Sequence, residues 1–173
     1  KYRKALKLNR EELVIAILPG SRVGELKAHT KTLLKTAQNL LEVYPDAKFL
    51  IPATNDKNVN FIKGCIKNNP TKNIKLIKGK VDEILSSANI AIAASGTASL
   101  QIALHKKPMI IIYKGSWISY FIWKMVRLIP YVSLPNILLN ENFVPEMLQH
   151  RATPNLLSKK ACEIIKDKKY SKK

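Results

Sequence analysis

Two short stretches of this 173-residue chain bring together residue types that can hold an anion. In Leu18-Pro19-Gly20-Ser21-Arg22 an apolar run gives way to a glycine turn, a hydroxyl and the only arginine between Arg10 and Arg127. If a helix begins there, its first backbone N–H groups, the positive end of its dipole, the Ser21 hydroxyl and the planar guanidinium of Arg22 together suit a phosphate. An ordinary strand-to-helix turn with Arg22 on the surface is the simpler reading, and a glycine turn alone favours it. In Ala93-Ala94-Ser95-Gly96-Thr97-Ala98-Ser99 every residue is small, so a ligand could approach the backbone, and three hydroxyls cluster at a second helix start. The simpler reading there is a capped helix in which Ser95 or Thr97 satisfies the first amides. Two such loops on one sheet edge favour a nucleotide diphosphate. No GxxxxGK[ST] and no GxGxxG occurs, which disfavours an NTPase or a dinucleotide oxidoreductase.

The elements that must position these loops follow from hydrophobic periodicity. Residues 13–18 form a continuous apolar run closed by Pro19-Gly20, the pattern of a buried strand ending in a tight loop. Over 23–44, Leu26, Leu33, Leu34, Ala37, Leu40, Leu41 and Tyr44 keep helical spacing, while Lys27, Lys31, Lys35 and Glu42 take another face. The alternation continues with strands over 47–51, 73–77, 90–94 and 108–113 and helices over 56–68, 81–87 and 97–105. Strands and helices alternating at this pace predict a Rossmann-like three-layer α/β domain with a parallel sheet, whose ligands bind at the carboxyl ends of the strands. Residues 116–128 read as helical, 131–139 as apolar but broken by Pro135, and 154–166 as a terminal helix with Pro154 in its first turn. The expected division is a lead-in segment over 1–12, one domain over 13–166, and a frayed lysine-rich tail over 167–173.

Other chemistry is thinly represented. His29, His105 and His150 stand singly, without HxxxH or HExxH spacing, and read as helix-surface histidines. Glu141 and Glu146 are close in sequence but have no evident partner, and no metal is implied. Cys65 and Cys162 show neither CxxC nor zinc-ligand spacing, which fits a reducing, cytoplasmic setting. Hydrophobic residues make up 46% of the chain and charged residues 24%, the balance of a protein that buries a core. The formal net charge of +18 comes from 25 lysines and five arginines against 12 acids, spread along the whole length. That charge raises a nucleic-acid-binding module as an alternative, but scarce arginine, dispersed lysine and the lack of an RNP-type motif or helix-turn-helix make nucleic acid an unfavoured partner. Trp117, Phe121, Trp123, Lys124 and Arg127 interleave aromatics with cations as a helix at an anionic membrane surface would. Packing of the same stretch against the sheet or another domain is an equal alternative.

The ordered set Leu18-Pro19-Gly20-Ser21-Arg22 with Glu25, Ala94-Ser95-Gly96-Thr97-Ala98-Ser99-Leu100, Pro108-Met109 with Tyr113, Tyr131-Val132-Ser133-Leu134-Pro135-Asn136 and Val144-Pro145-Glu146-Met147-Leu148-Gln149 resembles the lipid-A-disaccharide synthases. The resemblance implies the donor-binding half of an inverting GT-B glycosyltransferase, with the acceptor half and the general base outside these residues. Such an enzyme transfers 2,3-diacylglucosamine from UDP to 2,3-diacylglucosamine 1-phosphate, giving lipid A disaccharide 1-phosphate and UDP without a cofactor. It would work in the cytoplasm, peripherally on the inner face of the inner membrane, and a homodimer is among the expected assemblies. A noncatalytic remnant of that enzyme is the alternative within the family. By the family's pattern the loop from Pro19 to Arg22, with Gly20 and Ser21, and the loop from Ser95 to Ser99, with Gly96, Thr97 and Ala98, face the UDP diphosphate, Glu25 is among the donor-binding residues, and Asn136 sits by the donor. At position 101, where the family usually has a ribose-binding Glu, this chain has Gln101. An amide accepts a hydroxyl without charge assistance, so Gln101→Glu is expected to tighten UDP relative to its deoxyribose analogue.

Overall fold

Five of the expected strands and one short additional strand pair side by side in the computed structural model, which describes residues 2–115 and 130–167. The strands are β1 (Val14–Leu18), β2 (Lys48–Ala53), β3 (Ile74–Lys78), β4 (Ile90–Ala94), β5 (Met109–Tyr113) and β6 (Glu146–Leu148). They lie in the order β3-β2-β1-β4-β5-β6, every pair parallel. The helices are α1 (Tyr2–Ala5), α2 (Val23–Val43), α3 (Asp56–Asn68), α4 (Val81–Ser87), α5 (Thr97–Leu104), α6 (Leu134–Leu139) and α7 (Pro154–Lys166), with a 3₁₀ turn at Gln149–Arg151. This is the expected Rossmann-like three-layer arrangement with a parallel sheet.

β1 and β4 are buried from end to end, as central strands of a sheet covered on both faces must be. Side chains alternate along them. Ile15, Ile17, Ile90 and Ile92 pack with Leu26, Leu33, Leu40, Ile62 and Leu157 beneath α2, α3 and α7. Val14, Ala16, Leu18, Ala91 and Ala93 face Ile84, Leu85 and Ile102 of α4 and α5 on the other side. Leu6 joins that second layer. Beside it the Arg3 guanidinium donates to the carbonyls of Ser87, Asn9, Arg10 and Glu12 and to Asn89 Oδ1, fixing the lead-in residues to the edge of the domain.

Pro135 does not break an element. It lies in the first turn of α6, where its missing N–H would have had no helical partner. β6 is the strand that periodicity does not reveal, because three residues headed by a glutamate carry no local strand signal. Its register, Ile111 opposite Glu146 and Tyr113 opposite Leu148, exists only through its pairing with β5.

Candidate functional site

With this strand order, the chain leaves β1 toward one side of the sheet and β4 toward the other, which opens a crevice between their carboxyl ends. The loops after these strands are the two small-residue loops. They line a cleft of about 340 Å³ whose walls include Gly20, Ser21, Arg22, Glu25, Ser95, Gly96, Thr97, Ala98 and Gln101. Ser99 is fully buried beneath it, and its hydroxyl donates to the Gly96 carbonyl at 2.7 Å. A larger cavity, about 560 Å³, flanks the start of β5 and carries Lys106, Lys107, Arg151 and Lys160. Ligand chemistry in open parallel sheets belongs at the strands' carboxyl ends, so the smaller cleft is the candidate site.

The loop after β1 is tied down at Pro19, Ser21 and Arg22. The Pro19 carbonyl faces His29 Nδ1 at 3.2 Å, and the Ser21 carbonyl accepts from Asn58 Nδ2 at 2.9 Å. Glu25, in the first turn of α2, accepts from the backbone N–H groups of Ser21 and Arg22 at 2.9 and 3.2 Å. Its carboxylate therefore caps the helix and occupies the amides expected to face a phosphate. Arg22 is 87% exposed and only loosely paired with Glu25, at 3.5 Å, so its guanidinium is free to swing toward a ligand. Gly20 has φ +106°, and a Cβ there would lie 2.6 Å from Glu25 Cβ, so no other residue fits without moving the cap. Gly96, at φ +150°, leaves open space above the second loop.

His29 is not the surface histidine expected. It is 2% exposed on the apolar stripe of α2, between Leu26 and Leu33, a position that helical spacing itself indicates. Nδ1–H donates to Pro19, and Nε2 accepts from the Lys114 backbone N–H at 3.0 Å, which requires the neutral ring. Burial holds its pKa below the ordinary histidine value.

Beside the cleft, the segment that leads into α6 is fixed by Glu146, for which the sequence suggested no partner and which itself lines the larger cavity. Its carboxylate accepts from the N–H groups of Val132 and Ser133, from Ser133 Oγ at 2.7 Å and from Asn136 Nδ2 at 2.9 Å. The Val132 carbonyl in turn accepts from Ser95 Oγ at 2.7 Å, joining this segment to the loop after β4. Asn136 is fully buried and does not line the cleft. Its amide bonds to both backbone groups of Val144 as well as to Glu146, so it braces the segment against which Ser95 is held.

Gln101 lines the cleft and donates through Nε2 to Asp82 Oδ1 at 2.9 Å. His105 Nε2 meets the same oxygen at 2.9 Å, and its Nδ1 lies 3.3 Å from Ser86 Oγ. These bonds hold the Asp82 carboxyl below the ordinary aspartate value. A glutamate at 101 would stand against that carboxylate, a repulsion that the sequence alone does not show. His29, Asn58, Asp82 and Glu146 are the site residues that sequence reasoning missed. Of these, only His29 carries a local periodic signal.

Among the described residues, no three His, Cys, Asp or Glu side chains gather as metal ligands, and no helix is long and apolar enough to cross a membrane. Trp117, Phe121, Trp123, Lys124 and Arg127 lie outside the described residues.

Comparison with known proteins agrees with this geometry. A family model described as lipid-A-disaccharide synthetase matches residues 1–173. The lipid-A-disaccharide synthase of Methylobacillus flagellatus is 39% identical over 168 residues, covering 96% of this chain and 44% of that protein. The chain thus spans under half the length of this curated relative. Among solved structures, the E. coli ADP-heptose LPS heptosyltransferase II superposes with TM-score 0.67 at 10% identity, over 95% of this chain and 50% of that one. The Neisseria meningitidis UDP-GlcNAc 2-epimerase bound to UDP-GlcNAc gives 0.64 at 15% identity, over 98% and 40% respectively. At these identities the two structures speak for the fold alone.

Proposed function

Since the chain belongs to the lipid-A-disaccharide synthase family, a family of lipid A biosynthesis, we propose that it is the UDP-sugar donor domain of a glycosyltransferase that moves 2,3-diacylglucosamine from UDP to 2,3-diacylglucosamine 1-phosphate. The observation that carries the proposal is the meeting of the loops after β1 and β4 in one cleft at the topological switch point. There the diphosphate lies against the start of α5, with Arg22 closing over it from the opposite loop. As the glycosidic bond breaks, negative charge grows on the diphosphate, and a guanidinium beside a helix N-terminus stabilises that charge where it develops. Glu25 keeps the first loop in shape, and its bonds to the Ser21 and Arg22 amides give way or are shared when an anion enters.

The acceptor hydroxyl must also be held near the anomeric carbon with a base at hand, and such positioning supplies about 7 to 11 kcal/mol of a barrier. In this reading the lipid acceptor and the base come from outside these residues. The segment from Trp117 to Arg127 keeps the assembly peripheral to an anionic membrane surface, on the cytoplasmic side of the inner membrane.

Calorimetry tests the donor assignment. Arg22→Ala is expected to weaken UDP by about 1.5 to 3 kcal/mol, the worth of a hydrogen bond to a charged group. Because Arg22 is exposed, stability should change little. Equal affinity in variant and parent would remove Arg22 from the site.

A further inference from the structure

The Ser86–His105–Asp82–Gln101 chain of polar side chains runs from the flank of the domain to the wall of the cleft. Its chemistry fixes which atom Gln101 offers. An ionised carboxylate only accepts, so the group that Gln101 turns toward Asp82 must be its NH2, and the amide cannot be reversed without setting two acceptors against each other. The carbonyl Oε1, for which no bond is found among the described residues, is then the atom left for the cleft. The same constraint acts on His105. With Asp82 against Nε2, that nitrogen carries the hydrogen and donates, so two donors converge on Oδ1 and pin the carboxylate.

We propose that Asp82 is the positioning residue that holds Gln101 with an acceptor toward the cleft, so that the site selects a ligand sugar presenting a hydroxyl donor there. A nucleotide's ribose has that chemistry and a 2′-deoxyribose has less of it. The proposal rests on the reading of the cleft as a UDP site. It also explains why an amide is suited to position 101 in this chain: the nearby negative charge already sits on Asp82, and a second carboxylate would face it across a single hydrogen-bond length.

The test is a double-mutant cycle read by calorimetry on the 173-residue chain, with UDP and 2′-deoxy-UDP as probes. Asp82 has a side chain 73% exposed, so its removal leaves the core intact. The parent is expected to prefer UDP over the deoxy nucleotide by about two- to tenfold, one neutral hydrogen bond, and Asp82→Ala is expected to shrink that preference. The decisive readout is a change of sign. Gln101→Glu should weaken UDP when Asp82 is present and tighten it in the Asp82→Ala background, because only there is the new carboxylate free of its neighbour. A structural role for Asp82 alone would shift both backgrounds the same way. UDP bound by the parent, with Gln101→Glu acting in one direction in both backgrounds, would overturn the role of Asp82 and leave the donor site standing. A parent that binds neither nucleotide would overturn both.

Discussion

Gly20 shows how closely single residues are constrained at this site. Its backbone is in a left-handed conformation, and the space where a Cβ would go belongs to Glu25, which is itself held by the Ser21 and Arg22 amides. Gly20→Ala must therefore twist the backbone or dislodge the cap. The expected cost is about 1 to 3 kcal/mol, read as a lower urea midpoint, with a loss of UDP binding beside it. Gly96→Ala is the comparison that separates the two causes, since open space around Gly96 leaves only backbone strain to pay; a Gly20→Ala loss no larger than that of Gly96→Ala would contradict the role of the cap. Asn136 teaches a related lesson. A buried amide with its donor and acceptor both engaged orders the backbone around Glu146, and that cluster meets the cleft through the bond from Ser95 to the Val132 carbonyl.

At the scale of elements, His29 links three of them: it rides on α2, meets the carbonyl after β1 and accepts from the backbone after β5. Protonation of Nε2 would set two donors face to face, and burial adds to the penalty. The folded-state pKa thus lies below the unfolded value of about 6.5. The stabilisation is fully present above pH 6.5. It erodes as the pH falls, because the unfolded chain takes up a proton that the folded chain resists, and the loss is complete below the folded-state pKa. Urea midpoints between pH 7.5 and 5 should fall for the parent and fall less for His29→Gln, and parallel curves would exclude this histidine as the cause. Much of this architecture is legible in sequence. The apolar runs of β1, β4 and β5, the stripe on α2 and the limits of α3, α4 and α7 follow from local periodicity and from Pro, Gly and Asn at the ends. The β6 strand, the Glu146 clamp and the Asp82 link to His105, 23 positions away, depend on residues brought together only by folding, so a local pattern cannot disclose them.

For the whole molecule, the strand order does most to locate function, since it brings two loops more than 70 positions apart to the same crevice. Net charge does less. The +18 balance is carried by dispersed lysines, and a general attraction for anions would not by itself distinguish the cleft from the lysine-rich cavity beside β5. The most direct measurement of the central claim is therefore one that reports place as well as binding: amide ¹H–¹⁵N spectra of the 173-residue chain titrated with UDP. Saturable shifts are expected at Ser21, Arg22, Gly96 and Thr97 and in the side-chain amide of Gln101, with Lys106, Lys107, Arg151 and Lys160 unmoved. Shifts centred on those four cationic residues, or no saturable shift in the loops after β1 and β4, would contradict the assignment of the cleft as the donor nucleotide site.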